Sequence, residues 1–187
     1  MINYRFLHDV QDYGQYLKSR TAESLRIYFG YAISDDAIDR LTEAMRQSPE
    51  LHEVFVAENA DLEIVGTVHI AKLSADSVEL GFMVHEQYRR QGIADAMMSQ
   101  VLDWSRNRGY TGIYMHCISY NRPILKLVEK YGLEISRDHD EADARVVLPS
   151  ANWVTLQREF VKQTAGIYTH KLLEHLRIFR NAFNFTA

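Results

Sequence analysis

The stretch of this chain that is best suited to chemistry is the run Arg89-Arg-Gln-Gly-Ile-Ala94. Two arginines precede Gly92, which has no Cβ, and Ala94 adds little bulk after it. A helix is predicted to begin at Gly92. The first backbone N–H groups of a helix have no partner within it, and the macrodipole places about half a positive charge at that end. Together these features predict a binding site for an anion such as a phosphate group.

The elements that would position this run are a strand before it and a helix after it. In residues 77–84, Val, Leu, Phe and Val alternate with Glu79, Gly81 and Met83 at the period of two that a strand requires. From Gly92 onward, apolar side chains fall on one helical face: Ile93, Met97, Val101 and Trp104. A polar loop joins the two elements, so it delivers the arginines to the helix N-terminus.

The rest of the chain predicts an α/β fold. Residues 52–58, 63–73 and 77–84 favour an antiparallel meander, and the strand and helix order after it favours parallel crossovers. The other predicted elements are strands at residues 2–7, 112–118, 134–137 and 144–148, and helices at residues 11–31, 35–47 and after Asn121. We therefore predict a mixed, mostly antiparallel central sheet of six to seven strands, flanked by helices.

Composition narrows the class of protein. A chain of 187 residues has room for one domain with a sizeable core and an extension. Its net charge of −4 gives no basic face for nucleic acid or an anionic membrane. Cys117 is the only cysteine, which favours a reducing compartment. Because the chain also lacks a long apolar run, we expect a cytoplasmic protein.

With this context, the loop resembles the acyl-CoA pyrophosphate loop of the GNAT superfamily of N-acetyltransferases, whose RxxGxA pattern Arg89 to Ala94 match. Val84 precedes Gly92 at the spacing typical of the family. After Asn121, the run Leu127-Val-Glu-Lys-Tyr-Gly-Leu133 is similar to the family's Leu-Tyr-Glu-Lys-x-Gly-Phe signature. The resemblance covers roughly residues 50 to 148.

The resemblance implies a GNAT-like fold in which acetyl-CoA is the co-substrate and no metal takes part. It implies transfer of the acetyl group to a primary amine of a small molecule or peptide, by direct attack in a ternary complex. The residues that it assigns to acetyl-CoA are Phe82, Met83, Val84, Arg89, Arg90, Gln91, Gly92, Ile93, Ala94, Asp95 and Asn121. Because the family splays this strand from its neighbour, the backbone N–H groups near Phe82, Met83 and Val84 are the expected oxyanion donors.

Two residues compete for the role of general base. An alkyl amine has a pKa of about 10.4, so removing its proton at pH 7 costs about 4 to 5 kcal/mol. Glu79 lies where histone-modifying members of the family carry a glutamate, and His116 matches the glutamate position of ribosomal-protein-modifying members. Histidine titrates near neutral pH, whereas Glu79 needs burial or a water chain. Both stay candidates, with Glu79 slightly preferred.

The chain departs from the family at the position of the general acid. Many members carry a tyrosine seven residues after the asparagine, where this chain has Val128. A thiolate with a pKa of about 8.5 leaves at a cost of only about 2 kcal/mol, so the missing tyrosine affects the acid more than the activity. An alternative function is a non-catalytic acyl-CoA-binding sensor or interaction module, and a third is an unrelated nucleotide-binding domain.

We divide the chain into a GNAT-like domain, residues 1–149, and a C-terminal extension, residues 150–187. The apolar residues of the extension recur at spacings of three and four: Trp153, Leu156, Phe160, Tyr168, Leu172, Leu176, Phe179 and Phe183. This predicts one or two amphipathic helices, with Gly166 as the break point. The stripe suits either packing on its own domain or the contact of a homodimer.

Overall fold

Residues 1–139 and 141–184, which the computed structural model describes, form a seven-stranded mixed sheet with helices on both faces. The strands are β1 Asn3–Phe6, β2 His52–Glu58, β3 Ile64–Lys72, β4 Ser77–Val84, β5 Gly112–Ile118, β6 Glu134–Asp138 and β7 Glu141–Val147. The helices are α1 Val10–Lys18, α2 Ala22–Phe29, α3 Asp35–Gln47, α4 Ile93–Asn107, α5 Arg122–Lys130 and α6 Trp153–Asn184, with single 3-10 turns at Pro49–Leu51 and Glu86–Tyr88. The predicted fold class is confirmed.

The strands follow the order β1-β2-β3-β4-β5-β7-β6. The predicted meander is present, since β2, β3 and β4 pair antiparallel in sequence order. Parallel pairing occurs between β4 and β5 but not between β5 and β6, because the hairpin returns β7 along the whole of β5 and leaves β6 at the edge. Asp140, between β6 and β7, lies outside the described residues.

The parallel pairing between β4 and β5 ends after three residues. Ser77, Val78 and Glu79 pair with Gly112, Ile113 and Tyr114, and no later residue of β4 pairs with β5 in the described register. Both strands continue beyond this point, to Val84 and Ile118. A gap therefore opens between the two central strands of the sheet, on the side toward residues 85–92.

The predicted helix at residues 11–31 is two helices. Thr21 accepts a hydrogen bond from the Ser24 backbone N–H and begins α2, while Ser19 ends α1. Gly30 then ends α2 in a left-handed conformation, with φ at 80°. The apolar spacing hid this boundary because both helices pack on the same face of the sheet, where Tyr13 and Leu25 share one core.

Each face of the sheet has its own core. The core under α4 and α5 includes Leu80, Met97, Val101, Met115 and Val128. The core under α1, α2 and α3 includes Tyr13, Leu17, Ile38, Val54 and Met83. Because side chains alternate along a strand, the remaining residues of β4 and β5 can be assigned to a face from these two sets.

The C-terminal extension is one continuous helix, so the predicted break at Gly166 is absent. Gly166 instead marks a close contact with β1. A Cβ added there would overlap the carbonyl oxygen of Tyr4, so only glycine lets the helix lie this near the strand. The side chain of Phe183 and residues 185–187 lie outside the described part of the chain.

A buried carboxylate also joins α6 to the sheet. Glu58 is 1% exposed, and its Oε1 lies 2.5 Å from Nη2 of Arg5. Its Oε2 lies 2.9 Å from Nδ1 of His170 on α6 and 3.4 Å from Nδ2 of Asn3. The extension is therefore fastened to β1 and β2 by ionic and polar contacts as well as by packing.

The outward side of α6 carries an apolar stripe, which we call the outer stripe. Its members recur at spacings of seven and four and are 54–70% exposed: Val154, Val161, Tyr168, Leu172 and Leu176. Among the helices in residues 1–139 and 141–184, none combines the length and apolar character needed to span a bilayer. The stripe is a protein surface that this chain alone leaves uncovered.

Candidate active site

The N-terminus of α4 presents unpaired backbone donors. Gly92 has φ at 79° and no side chain caps the helix. The first helical hydrogen bond runs from the Ala96 N–H to the Gly92 carbonyl. In the part of the chain that the structure describes, no protein acceptor bonds the N–H groups of residues 91–95. These donors and the positive end of the helix dipole suit an anion.

The two arginines before this terminus have different surroundings. Arg89 donates from Nε to the Val84 carbonyl at 3.2 Å and from Nη2 to Ser24 Oγ at 2.8 Å. Arg90 has φ at 62°, and its exposed side chain makes no hydrogen bond or ion pair within the described residues. Arg89 therefore stabilises the loop between β4 and α4 through these contacts. The guanidinium of Arg90 is available to an anion.

Other loop residues reach a ligand mainly through their backbone. The side-chain amide of Gln91 donates to the Gln87 carbonyl at 3.1 Å. The Ile93 side chain is 2% exposed and lies in the core. Ala94 packs partly against the same core. Asp95 pairs with Lys130 at 2.5 Å, so its carboxylate binds α5.

Glu86 fixes α2 to the loop that follows β4. Burial by itself raises the pKa of Glu86. Hydrogen bonds from Ser24, from the Glu86 backbone N–H and from Thr21 outweigh it, together with the charge of Arg20, and lower the pKa of Glu86 to about 2. The Ser24 hydroxyl donates to Glu86 Oε1 at 2.5 Å and accepts from Arg89. Ser24 thus links α2 to the loop that carries Arg89 and Arg90, which we call the arginine loop.

The backbone of β4 offers donors to the gap. The His85 N–H bonds the Val65 carbonyl, and the Leu73 N–H bonds the Ser77 carbonyl, so the odd-numbered residues of β4 pair with β3. Beyond the paired residues, the N–H groups of Phe82 and Val84 therefore point into the gap. The same alternation turns the N–H of Met83 toward Thr67 in β3 and away from the gap.

The two candidate bases lie on one face of the sheet, on neighbouring strands. Glu79 alternates with Leu80, and His116 alternates with Met115, and both of these apolar residues belong to the core under α4 and α5. Glu79 and His116 therefore point to the opposite face, toward α1 and α2. Glu79 is half-buried, whereas the His116 side chain is 45% exposed and contacts Asp143 at 2.9 Å.

The end of β5 leads to Asn121, which precedes the first residue of α5. Its side chain makes no capping bond, and within the described residues it has no other hydrogen-bond partner. An open groove of about 440 Å³ lies beside it, between α2 and the turn before α5. The groove is lined by Ala22, Glu23, Arg26, Ile27, Ala32 and Tyr120.

The structure offers no tyrosine on α5 that faces the gap. Val128 is fully buried in the core. The Tyr131 hydroxyl donates to the Asp95 carbonyl at 3.0 Å, and burial followed by the charge of Asp95 raises the pKa of Tyr131 to about 12. Tyr131 thus holds α5 against α4.

Sequence reasoning missed a pair of tyrosines beside the candidate bases. The hydroxyls of Tyr13 on α1 and Tyr28 on α2 lie 2.8 Å apart. A Cβ added at Gly81 would lie 2.5 Å from the Tyr28 hydroxyl, so this hydroxyl sits directly on the backbone of β4. The available signal was Gly81 itself, because a glycine inside a strand often marks the close approach of another group.

The sequence profile described as the acetyltransferase (GNAT) family matches residues 19–133, well over half of the chain. The chain belongs to this family. The match contains the arginine loop, the gap between β4 and β5, both candidate bases and Asn121, but neither β1 nor α6. Transfer of an acetyl group from an acyl-CoA is the activity for which the family is named.

Solved structures similar to this GNAT protein support the fold. The GNAT domain of S. lividans PAT has a TM-score of 0.63 at 17% identity, covering 79% of this chain and 89% of that one. The spermidine N-acetyltransferase from Vibrio cholerae, in complex with CoA and spermine, has a TM-score of 0.62 at 18% identity, covering 78% and 95%. A dodecameric structure of the Vibrio cholerae enzyme has a TM-score of 0.59 at 18% identity, covering 78% and 93%.

Proposed function

We propose that this GNAT protein transfers an acetyl group from acetyl-CoA to a primary amine of a small molecule or peptide. The observation that carries the proposal is the gap between β4 and β5, which opens beside the unpaired amides of residues 91–95. A diphosphate fits the amides and the Arg90 guanidinium, and a thin pantetheine arm fits the gap. The side-chain amide of Asn121 is available at the far side of the gap.

In the proposed reaction acetyl-CoA supplies a thioester whose carbonyl carbon the amine attacks and whose sulfur leaves as a thiolate. Glu79 or His116 accepts the proton of the amine, directly or through water. The N–H groups of Phe82 and Val84 donate to the thioester oxygen, and fixed donors of this kind contribute about 3 kcal/mol to the transition state. No acid is assigned, because a thiolate of ordinary pKa leaves without one.

The groove between α2 and Tyr120 is the proposed entry for the acceptor. It lies beside α2, which packs on the face of the sheet that carries Glu79 and His116, although neither of these residues lines it. One similar structure is a spermidine N-acetyltransferase in complex with CoA and spermine, which supports a small amine as the acceptor here. Glu23 and Arg26 give this groove both signs of charge, so it does not select a polycation by charge alone.

The function is tested by measuring CoA release from acetyl-CoA with a panel of amines, polyamines and peptides, alongside CoA binding by calorimetry. Binding together with release for at least one amine supports the proposal. Binding with no release for any amine favours the non-catalytic sensor. If no CoA thioester binds, the proposal fails at its first step, and the phosphate site belongs to another ligand.

The phosphate site itself is tested by Gly92→Ala. Gly92 and Gly109 have φ at 79° and 83°, and an added Cβ meets nothing within 4 Å at either position, so alanine costs the same backbone strain at both. Only at Gly92 would the Cβ stand where a phosphate approaches the amides. We expect Gly92→Ala to weaken CoA binding by at least about tenfold, about 1.4 kcal/mol, and Gly109→Ala to leave it unchanged. Equal effects of the two variants would place the diphosphate elsewhere.

We also propose that the outer stripe of α6 forms a homodimer contact. Its five side chains are 54–70% exposed and extend from Val154 to Leu176, about 33 Å of helix at 1.5 Å per residue, and a stable interface buries about 800 Å² per partner. A similar structure is a dodecamer, which supports self-association. Sedimentation velocity should give a dimer that Leu172→Glu converts to a monomer with unchanged circular dichroism. A monomeric wild-type protein at 100 µM, roughly a thousand times a tight Kd, would exclude the dimer.

A further inference from the structure

The Tyr13 and Tyr28 hydroxyls form an isolated pair between the helices and β4. Tyr13 is fully buried, and Tyr28 is half-buried. Their oxygens lie 2.8 Å apart, and Gly81 gives the Tyr28 hydroxyl room to rest on the strand. Packing alone does not require a hydroxyl at this place, because phenylalanine would fill the same volume.

The burial of Tyr13 decides which hydroxyl donates. Within the described residues Tyr28 is the only hydrogen-bond partner of the Tyr13 hydroxyl, so the buried Tyr13 proton is paired only if Tyr13 donates to Tyr28. The Tyr28 proton then needs another acceptor. The nearby Tyr16 hydroxyl is not that acceptor, because it is buried without any hydrogen-bond partner in the described chain.

The Tyr28 proton is therefore available at the face that carries Glu79. Glu79 lies two residues from Gly81 on the same face of β4, about 6.6 Å along the strand. Burial raises the pKa of Tyr28 to about 12, the bond from Tyr13 lowers this pKa, and the charge of Glu79 raises it. Tyr28 thus stays protonated at neutral pH and can donate one hydrogen bond to a ligand.

We propose that the Tyr28 hydroxyl is a specificity-determining donor of the acceptor site, selecting primary amines that carry an oxygen acceptor a few bonds from the nitrogen. The proposal rests on the proposed acetyl transfer and on the amine binding beside Glu79. When the nitrogen of the acceptor lies at Glu79, a hydroxyl, ether or carbonyl oxygen a few bonds away can span the distance between Glu79 and Tyr28 and accept the Tyr28 proton. An amine with only methylene groups leaves the Tyr28 donor unpaired and is disfavoured.

The test compares amines that differ by one oxygen. Aminopropanol is paired with butylamine, and aminobutanol with pentylamine, so that a hydroxyl replaces the terminal methyl group in each pair, and kcat/KM is measured for each by CoA release. We expect the wild-type protein to prefer the oxygen-bearing member of each pair by at least about tenfold. Tyr28→Phe should reduce this preference to within about threefold, chiefly by lowering kcat/KM for the oxygen-bearing member.

Two further variants make the result specific. The double variant Tyr13→Phe/Tyr28→Phe removes both hydroxyls, so it leaves no buried Tyr13 proton without an acceptor. It should lose the preference for the oxygen-bearing amine to the same extent as Tyr28→Phe. Tyr110→Phe removes the hydroxyl of another half-buried tyrosine, one that stacks on Trp104, and should keep the preference. A wild-type protein without preference overturns the proposal, as does a Tyr28→Phe variant that slows all amines equally. If no amine is acetylated, the proposed function fails instead.

Discussion

Glu79→Gln is expected to lower kcat for acetyl transfer by at least about 100-fold while leaving CoA affinity within about threefold. The substitution keeps the size and polarity of the side chain but removes the carboxylate that would accept the proton in the proposed reaction. Glu79 is half-buried next to the point where β4 and β5 separate, and its strand neighbour Tyr114 lies on the same face. In the proposed reaction the amine loses its proton close to this point, where His116 is the other candidate base.

His116→Ala provides the comparison for this result. His116 is more exposed than Glu79 and contacts Asp143, so we expect its loss to lower kcat by less than about tenfold. Glu53→Gln is the control, because Glu53 is a half-buried strand glutamate on the opposite face. If His116→Ala gives the 100-fold loss and Glu79→Gln does not, the histidine is the base and the preference for Glu79 is wrong.

Gly166→Ala is expected to destabilise the protein by about 3 kcal/mol, although glycine to alanine inside a helix normally stabilises by about 1 kcal/mol. The new Cβ would overlap the Tyr4 carbonyl oxygen, which belongs to the backbone of β1 and cannot rotate away. Relief requires α6 to move off the strand. That movement also strains the contact of His170 with buried Glu58.

Ala165→Gly isolates the helix-propensity part of this effect. Ala165 is exposed next to Gly166, so its replacement should cost only about 1 kcal/mol. Urea unfolding followed by circular dichroism measures both changes in the free energy of unfolding. A Gly166→Ala variant more stable than the wild-type protein would mean that α6 does not lie against β1.

The sequence was sufficient to predict the sheet because alternation and helical period are local signals. β2 His52–Glu58 and β4 Ser77–Val84 were predicted with their observed bounds. The boundary between α1 and α2 was missed because a single capping residue, Thr21, interrupts an otherwise continuous apolar pattern. The position of β7 between β5 and β6 was missed because it depends on pairing between distant parts of the chain.

The sequence predicted the part of the candidate site that one short segment forms, which is the loop before α4. Glycine and small residues at the start of α4 predict a phosphate-binding loop without knowledge of other elements. The different surroundings of Arg89 and Arg90 depend on Ser24, which is 65 residues away in sequence from Arg89. The tyrosine pair likewise depends on how α1 and α2 settle on β4, and no local pattern encodes that placement.

The buried carboxylate of Glu58 has a consequence for how this protein is prepared. Glu58 lies inside the segment that matches the family, but Arg5 and His170 lie outside it at opposite ends of the chain. A recombinant fragment trimmed to that segment would keep Glu58 and discard its three side-chain partners, Asn3, Arg5 and His170. It would also strip β7 from β5 and leave an open sheet edge. We therefore expect a fragment limited to residues 19–133 to be less stable than the longer chain.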